Sequence, residues 1–190
     1  MAAIGEVDKS VAAEAGRYIQ ERFASEVCCL PPIAIPDGAF DARRNQFSSV
    51  AFMLALAHGF PADADRVIGL TECDLFIPML TFVFGQAQLN GRAALVSLAR
   101  LRQEFYGVTP DPDLLRLRLE KEIGHELGHS FGLIHCPERE CVMSLATSIQ
   151  EVDRKTAGFC HSCDRLLPRS LYAIAREPHE PVADIQGREG

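Results

Sequence analysis

One short stretch of the chain carries residues whose types and spacing suit a metal site. The pattern H-E-x-x-H-x-x-G-x-x-H is formed by His125, Glu126, His129, Gly132 and His135. Because His125 and His129 lie four residues apart, a helix would place both imidazoles on one face, within reach of one ion. Gly132 can adopt the left-handed conformation that ends a helix, so His135 can turn back and add a third ligand. Neutral imidazoles suit zinc, and three of them leave a fourth position open for water.

The acidic residue of this pattern has a position suited to proton transfer. On a helix of about 3.6 residues per turn, Glu126 is rotated by about 100° from His125, which puts its carboxylate beside the ion rather than on it. A general base for a zinc-activated water belongs there. The residues therefore predict hydrolysis of peptide bonds, with Glu126 as general base and then general acid. Two alternatives remain: a non-catalytic, zinc-stabilised peptide-binding or regulatory module, against which the intact glutamate argues, and hydrolysis of a non-peptide amide.

Four cysteines that follow the histidines have the spacing of a second metal site. They form a C-x4-C pair and a C-x-x-C pair, which are Cys136, Cys141, Cys160 and Cys163. This is close to the two-knuckle spacing of a structural zinc site, and thiolate ligands favour zinc over magnesium or calcium. Free thiols, a redox pair and an iron site are the alternatives. The other three cysteines are predicted to be small buried residues: Cys28, Cys29 and Cys73.

The histidine and cysteine patterns, with Met143 placed as C-x4-C-x-M, resemble those of the archaemetzincin family of metzincin zinc metallopeptidases. The resemblance covers residues 125–163, and its spacer between Met143 and Cys160 has sixteen residues, one fewer than the family pattern. It implies an α+β, zincin-like fold with a mixed twisted sheet, two long helices in an N-terminal lobe and a small zinc-stabilised C-terminal lobe. It also implies one catalytic and one structural zinc, a peptide or protein substrate, and a supporting role for Met143 beneath the histidines.

Two further expectations come from this resemblance alone. Metzincins receive their substrate as an added strand on an antiparallel edge strand above the zinc, which makes residues 82–88 the candidate edge; an ordinary sheet edge is the alternative. In some relatives a tyrosine near the metal helps to stabilise the oxyanion. The candidates for that role are Tyr18, Tyr106 and Tyr172.

Hydrophobic periodicity and turn residues predict the elements that position these residues. We expect helices at 8–23, at 41–58, from the Thr109–Asp113 segment through to Gly132, and at 165–175. A broken β-prone segment is expected at 27–35 and strands at 66–71, 81–85 and 92–98, the last two joined by a turn at Asn90-Gly91. One apolar stripe should face the core and turn the metal-binding face of the third helix towards a cleft: Leu115, Leu119, Ile123, Leu127 and Phe131.

Length and composition limit the domain organisation, partners and location that the chain can have. We expect a single domain over 1–190, with an N-terminal lobe at 1–132, a C-terminal lobe at 133–176 and a flexible tail at 177–190. A net charge of −7 argues against a nucleic-acid partner. No apolar run approaches the ~20 residues that span a bilayer, and the first residues lack the features of a signal peptide. These observations predict a cytoplasmic protein with no membrane partner.

Overall fold

The computed structural model describes residues 1–59, 61 and 63–168. Its largest sheet has four strands and is mixed, with both parallel and antiparallel pairs. The strands are β1 (Ala2–Ala3), β2 (Phe40–Asp41), β3 (Gln46–Ser48), β4 (Val67–Thr71), β5 (Leu75–Phe76), β6 (Gly85–Ala87) and β7 (Ala93–Ser97). The main sheet has the order β1-β4-β7-β6, in which β1, β4 and β7 are parallel and β6 pairs antiparallel to β7 at one edge. A smaller sheet has the order β2-β3-β5.

Helices cover both faces of the main sheet. They are α1 (Lys9–Phe23), α2 (Ser49–His58), α3 (Pro112–Ser130), α4 (Ile149–Arg154) and α5 (His161–Leu166), with a 3-10 turn at Gln103–Tyr106. Side chains of α1 and α3 share one core cluster with β4 and β7, and those of α2 share another with the opposite sheet face. Every residue of β4 and β7 is buried, as expected for strands that are covered on both sides.

The two long helices begin and pack as their sequences predict. The carboxylate of Asp8 accepts from the backbone N–H of Ser10 at the start of α1, and that of Asp111 accepts from Leu114 at the start of α3. Acidic caps of this kind satisfy donors that the first helical turn leaves free. The predicted apolar stripe of α3 is buried from Leu115 to Leu127, so the opposite face of the helix is free to line a cleft.

Two predictions of local structure are wrong at their N-terminal ends, and a third segment forms less β-structure than expected. Residues 41–48 form a β-hairpin with Phe40 rather than the start of a helix, because Asp41 accepts from the N–H groups of Arg43 and Arg44 and Asn45 has a φ of +53°. The strand expected at 81–85 begins at Gly85, and before it only Val83 forms a single bridge, to β5. Residues 27–35 contribute one bridge to the chain start, which supplies β1 instead.

Other predictions differ in burial or lie outside the described residues. Cys28 and Cys29 are exposed rather than buried, and Cys73 is half-buried, since the first two lie on an irregular surface segment. The helix expected at 165–175 lies mostly outside the described residues; within them α5 starts earlier, at His161, and ends at Leu166. Tyr172 and the tail at 177–190 also lie outside the described residues. In the described part of the chain, no helix has the length and apolar character that crossing a bilayer requires.

Candidate active site

Three histidines come together at the C-terminal end of α3. One ring nitrogen from each of His125, His129 and His135 lies within 4.8 Å of the other two. The Nε2 atoms of His125 and His129 are 3.1 Å apart. Two zinc–nitrogen bonds of about 2.1 Å at a tetrahedral angle would separate their nitrogens by about 3.4 Å. The spacing of the imidazoles therefore fits a shared zinc ion.

Backbone carbonyl groups fix the orientation of two of these rings. Nδ1 of His125 donates to the carbonyl of Val142 at 2.8 Å, and Nδ1 of His129 donates to that of Leu133 at 2.7 Å. Because a carbonyl only accepts, the proton is on Nδ1 and the lone pair of Nε2 faces the shared position. Burial is the largest cause that lowers the pKa of His125, His129 and His135. The rings are therefore neutral near pH 7, which is the form that binds zinc.

The turn after α3 brings the third histidine back to the first two. Gly132 has a φ of +94°, and its N–H donates to the carbonyl of His129 at 2.9 Å. The N–H of Leu133 donates to the carbonyl of Gly128 at 3.0 Å, which completes the hydrogen-bond pair of a Schellman helix end. The prediction of a left-handed glycine at this position is confirmed, and it is this turn that lets His135 reach the cluster.

The carboxylate of Glu126 lies against the edge strand β6 and lines the same cleft as the histidines. A Cβ atom at Gly85 would lie 2.6 Å from both Cγ and Oε1 of Glu126, so only glycine allows the strand to approach this closely. Burial raises the pKa of Glu126 well above its usual value, with a further rise from Glu122 that the charge of Lys155 opposes. A carboxylate with a raised pKa is suited to accept a proton from water and to return it.

These groups line one cleft of about 320 Å³. One wall is the segment that includes β6, and the other is a loop before α4. The residues of the walls are Leu80, Thr81, Phe82, Val83, Phe84, Gly85, Gln86, Ala87, Leu145, Ala146 and Thr147. The floor holds the three histidines and Glu126, together with Glu122 and Lys155. The candidate edge at 82–88 thus contains the edge strand of the main sheet and lies against the cleft.

The four cysteines form a second cluster nearby. Their Sγ atoms all lie within 4.8 Å of one another, and those of Cys136 and Cys160 are 3.7 Å apart. Zinc–sulfur bonds of about 2.3 Å in a tetrahedral site would separate two sulfurs by about 3.8 Å. Burial raises the pKa of Cys136 and Cys163, and the backbone hydrogen bond of Cys163 lowers that of Cys160. The cluster thus has the size and the donor atoms of a structural zinc site.

One short segment connects the two clusters. The N–H of Cys136 donates to the carbonyl of Met143 at 2.9 Å, and Val142, which holds His125, directly follows Cys141. Met143 is fully buried beneath α3, where a Cβ atom at Gly128 would overlap its sulfur. The structure therefore places Met143 under the helix that carries the histidines.

Several residues that the sequence suggested lie away from the cleft. The hydroxyl of Tyr18 donates to the carbonyl of Ala157, and that of Tyr106 donates to the carbonyl of Arg100. Neither tyrosine lines the cleft. Two residues of the cleft, Glu122 and Lys155, were not predicted from the sequence. Glu122 lies one turn before Glu126 on the same helical face and could have been found by that spacing, whereas no pattern marked Lys155.

Fold and site together define a zinc metallopeptidase of the metzincin class. The sequence model of Peptidase family M54 matches residues 38–169. The chain is 46% identical to the archaemetzincin of Methanocaldococcus jannaschii over 144 residues, which are 75% of this chain and 78% of the relative. It is 49% identical to that of Methanopyrus kandleri over 137 residues, 72% of this chain and 74% of the relative. The chain therefore belongs to peptidase family M54.

Solved structures agree with this assignment. The crystal structure of the Methanopyrus kandleri archaemetzincin matches with a TM-score of 0.76 and 41% identity, covering 90% of this chain and 93% of that one. A zinc-dependent peptidase from Methanocorpusculum labreanum matches with a TM-score of 0.78 and 29% identity, covering 88% of this chain and 100% of that one. The predicted family, α+β fold and zinc-dependent peptidase activity are confirmed, and a non-catalytic binding module is not favoured.

Proposed function

We propose that this metallopeptidase cleaves peptide bonds with Glu126 as general base and general acid, and that His125, His129 and His135 hold its catalytic zinc. The observation that carries the proposal is the placement of the Glu126 carboxylate, which lies against the edge strand at Gly85 and lines the same cleft as three converging imidazoles. A base, a metal site and a surface for an extended chain then meet in one place.

The edge strand is suited to orient an extended substrate. Among the described strands β6 pairs with β7 alone, so its outer side can form main-chain hydrogen bonds with a peptide. Pairing of this kind holds a peptide extended, with its side chains pointing alternately towards and away from the cleft walls. We therefore assign the substrate-binding edge to residues 82–88, with Gly85 as the position closest to the base.

Bound zinc would supply Lewis acidity, which polarises the scissile carbonyl group and lowers the pKa of water. Glu126 takes a proton from the attacking water as its oxygen forms a bond with the carbonyl carbon, and the carbonyl π electron pair moves to oxygen. An electron pair on that oxygen then re-forms the C=O bond as the C–N bond breaks, the C–N electron pair goes to nitrogen, and Glu126 delivers the proton to the leaving amine. The raised pKa of Glu126 suits both transfers.

The cysteine cluster has a structural role in this proposal. We assign a zinc ion to Cys136, Cys141, Cys160 and Cys163, as the sulfur spacing supports. A separate small core adjoins it, formed by Leu133, Val142, Met143 and Leu167 with two of the cysteines. This supports a single metallopeptidase domain with a lobe boundary at Gly132. Exposed free thiols at Cys28 and Cys29 are consistent with a reducing, cytoplasmic location.

A diverse peptide mixture tests the proposed activity. The wild-type protein and Glu126→Ala are loaded with zinc, their metal content is measured, and new peptide termini are identified by mass spectrometry. We expect new termini from the wild type only, and the residues around the cleavage sites will show which side chains the cleft accepts. Equal cleavage by both proteins would remove Glu126 from the mechanism, and an absence of cleavage by fully loaded wild type would contradict general peptidase activity.

A further inference from the structure

The cleft contains a buried ion pair that the mechanism above does not use. Nζ of Lys155 lies 3.4 Å from Oε1 of Glu122, and their side chains are 1% and 3% exposed. Glu122 belongs to α3, one turn before Glu126, while Lys155 directly follows α4. Both line the cleft that holds Glu126 and the histidines. Removing two charges from water is costly, and buried charges of this kind concentrate at functional sites.

The ammonium group of Lys155 has more N–H donors than the described residues offer acceptors. It carries three N–H bonds, and within the described residues Glu122 is its one hydrogen-bond acceptor, at a long distance. Among the lining residues of the cleft, Lys155 is also the one lysine or arginine. Its positive charge therefore lies at the floor of the site with two N–H bonds available to another acceptor.

Hydrolysis creates a need for such a donor. As water adds to the peptide bond, negative charge develops on the carbonyl oxygen, and donors aimed at that oxygen accelerate the reaction. In the described part of the chain no tyrosine supplies this donor, since Tyr18 and Tyr106 donate to backbone carbonyls elsewhere. A fixed cation in a buried site is more effective than one in water, because little solvent screens it.

We propose that Lys155 is a second catalytic cation of the cleft, whose ammonium group, held by Glu122, donates to the scissile carbonyl oxygen as water adds to the peptide bond. Lys155 acts in this step as a hydrogen-bond donor, and proton transfer remains with Glu126. Glu122 is a positioning residue, because its carboxylate holds the ammonium group and offsets its charge before substrate binds. This inference rests on the proposed peptidase function.

Three variants test the proposal on the peptide that the wild type cleaves best. They are Lys155→Met, which removes the charge and keeps the length of the side chain, Glu122→Gln, and the double variant. Zinc content is measured for each. We expect Lys155→Met to lower kcat about 100- to 1000-fold, the usual effect of removing an oxyanion donor, with a smaller change in KM. Glu122→Gln retains the cation and should lose much less activity.

The double variant separates catalysis from folding. It removes both charges, so no uncompensated carboxylate remains in the core. If Lys155 is catalytic, the double variant folds, binds zinc and remains as slow as Lys155→Met. If the pair only braces α3 against the segment after α4, the single variants lose similar activity and the double variant recovers it. That recovery would overturn the proposal.

A tetrahedral inhibitor gives a second readout. A phosphinic peptide built on the same sequence carries negatively charged oxygens where the carbonyl oxygen develops its charge. Lys155→Met should weaken its binding by about the same factor as kcat/KM, and should leave unchanged the binding of the product fragment that carries the new amino group, which has no oxygen at this position. Equal inhibitor binding by wild type and Lys155→Met would overturn the inference alone. A wild type that cleaves no peptide would overturn the proposed function as well.

Discussion

Removal of one structural cysteine should weaken the catalytic metal site as well as the site it belongs to. Cys141 precedes Val142, whose carbonyl holds Nδ1 of His125 at 2.8 Å. The carbonyl that holds His129 at 2.7 Å belongs to Leu133, which lies in the same small core as Cys141. In Cys141→Ser, loss of the structural zinc would free this segment and remove the hydrogen-bond acceptors of two zinc-binding imidazoles.

The expected loss in zinc affinity follows from the number of backbone carbonyl acceptors that are displaced. Loss of the group that orients one metal-binding histidine usually costs 10- to 100-fold in metal affinity. Because two of the three imidazoles donate to backbone carbonyls of this small core, we expect the catalytic zinc to bind about 100-fold more weakly in Cys141→Ser. That factor corresponds to about 2.7 kcal/mol.

A chelator competition titration measures this coupling. The wild type, Cys141→Ser and Cys28→Ser are titrated with zinc in the presence of a coloured chelator of known affinity. Cys28 is an exposed thiol outside the cluster, so its variant controls for loss of a cysteine as such. If Cys141→Ser lost the structural zinc and still bound the catalytic zinc as tightly as the wild type, the two metal sites would not be coupled in this way.

Three further predictions concern packing, protons and helix capping. Gly128→Ala should lower the free energy of unfolding by about 1–3 kcal/mol, because the added Cβ overlaps with Met143. The double variant Gly128→Ala/Met143→Ala should lose less free energy of unfolding than the two single variants summed, and denaturant unfolding measures both losses. Zinc added to the apoprotein near neutral pH should release about two protons or more, because burial keeps Cys136 and Cys163 protonated whereas the imidazoles are already neutral. A pH indicator in weak buffer measures this release, and a release unchanged in Cys163→Ser would contradict it. Asp111→Ala should lower the free energy of unfolding by about 1 kcal/mol, since it removes the cap of α3, and an unchanged denaturation midpoint would contradict the cap's contribution.

The parts of the site that depend on local spacing were predictable from the sequence. His125 and His129 share a helical face, Gly132 takes the conformation that ends the helix, and the cysteine spacing matches a cluster. In each case a short segment determines the geometry, because helix periodicity and glycine conformation are local properties.

The parts that depend on tertiary structure were not predictable. Lys155 reaches the cleft only because α4 packs against α3, and nothing in its neighbouring residues indicates burial. The helix expected at 41–58 begins only at Ser49. The side chain of Asp41 and the left-handed Asn45 form a turn before it, although the apolar residues of this segment have helical spacing. The approach of Gly85 to Glu126 likewise joins residues that are far apart in the chain.

The role of Glu126 in activating water is tested most directly by following the cleavage of one peptide bond in water labelled with a heavy oxygen isotope. Wild type and Glu126→Gln are compared at equal zinc content on the peptide that the wild type cleaves best. Hydrolysis by a water that Glu126 activates predicts one labelled oxygen atom in the new carboxyl group and a loss of at least about 100-fold in kcat for Glu126→Gln. Equal rates for the two proteins, or a cleaved peptide without the label, would contradict hydrolysis by a water that Glu126 activates.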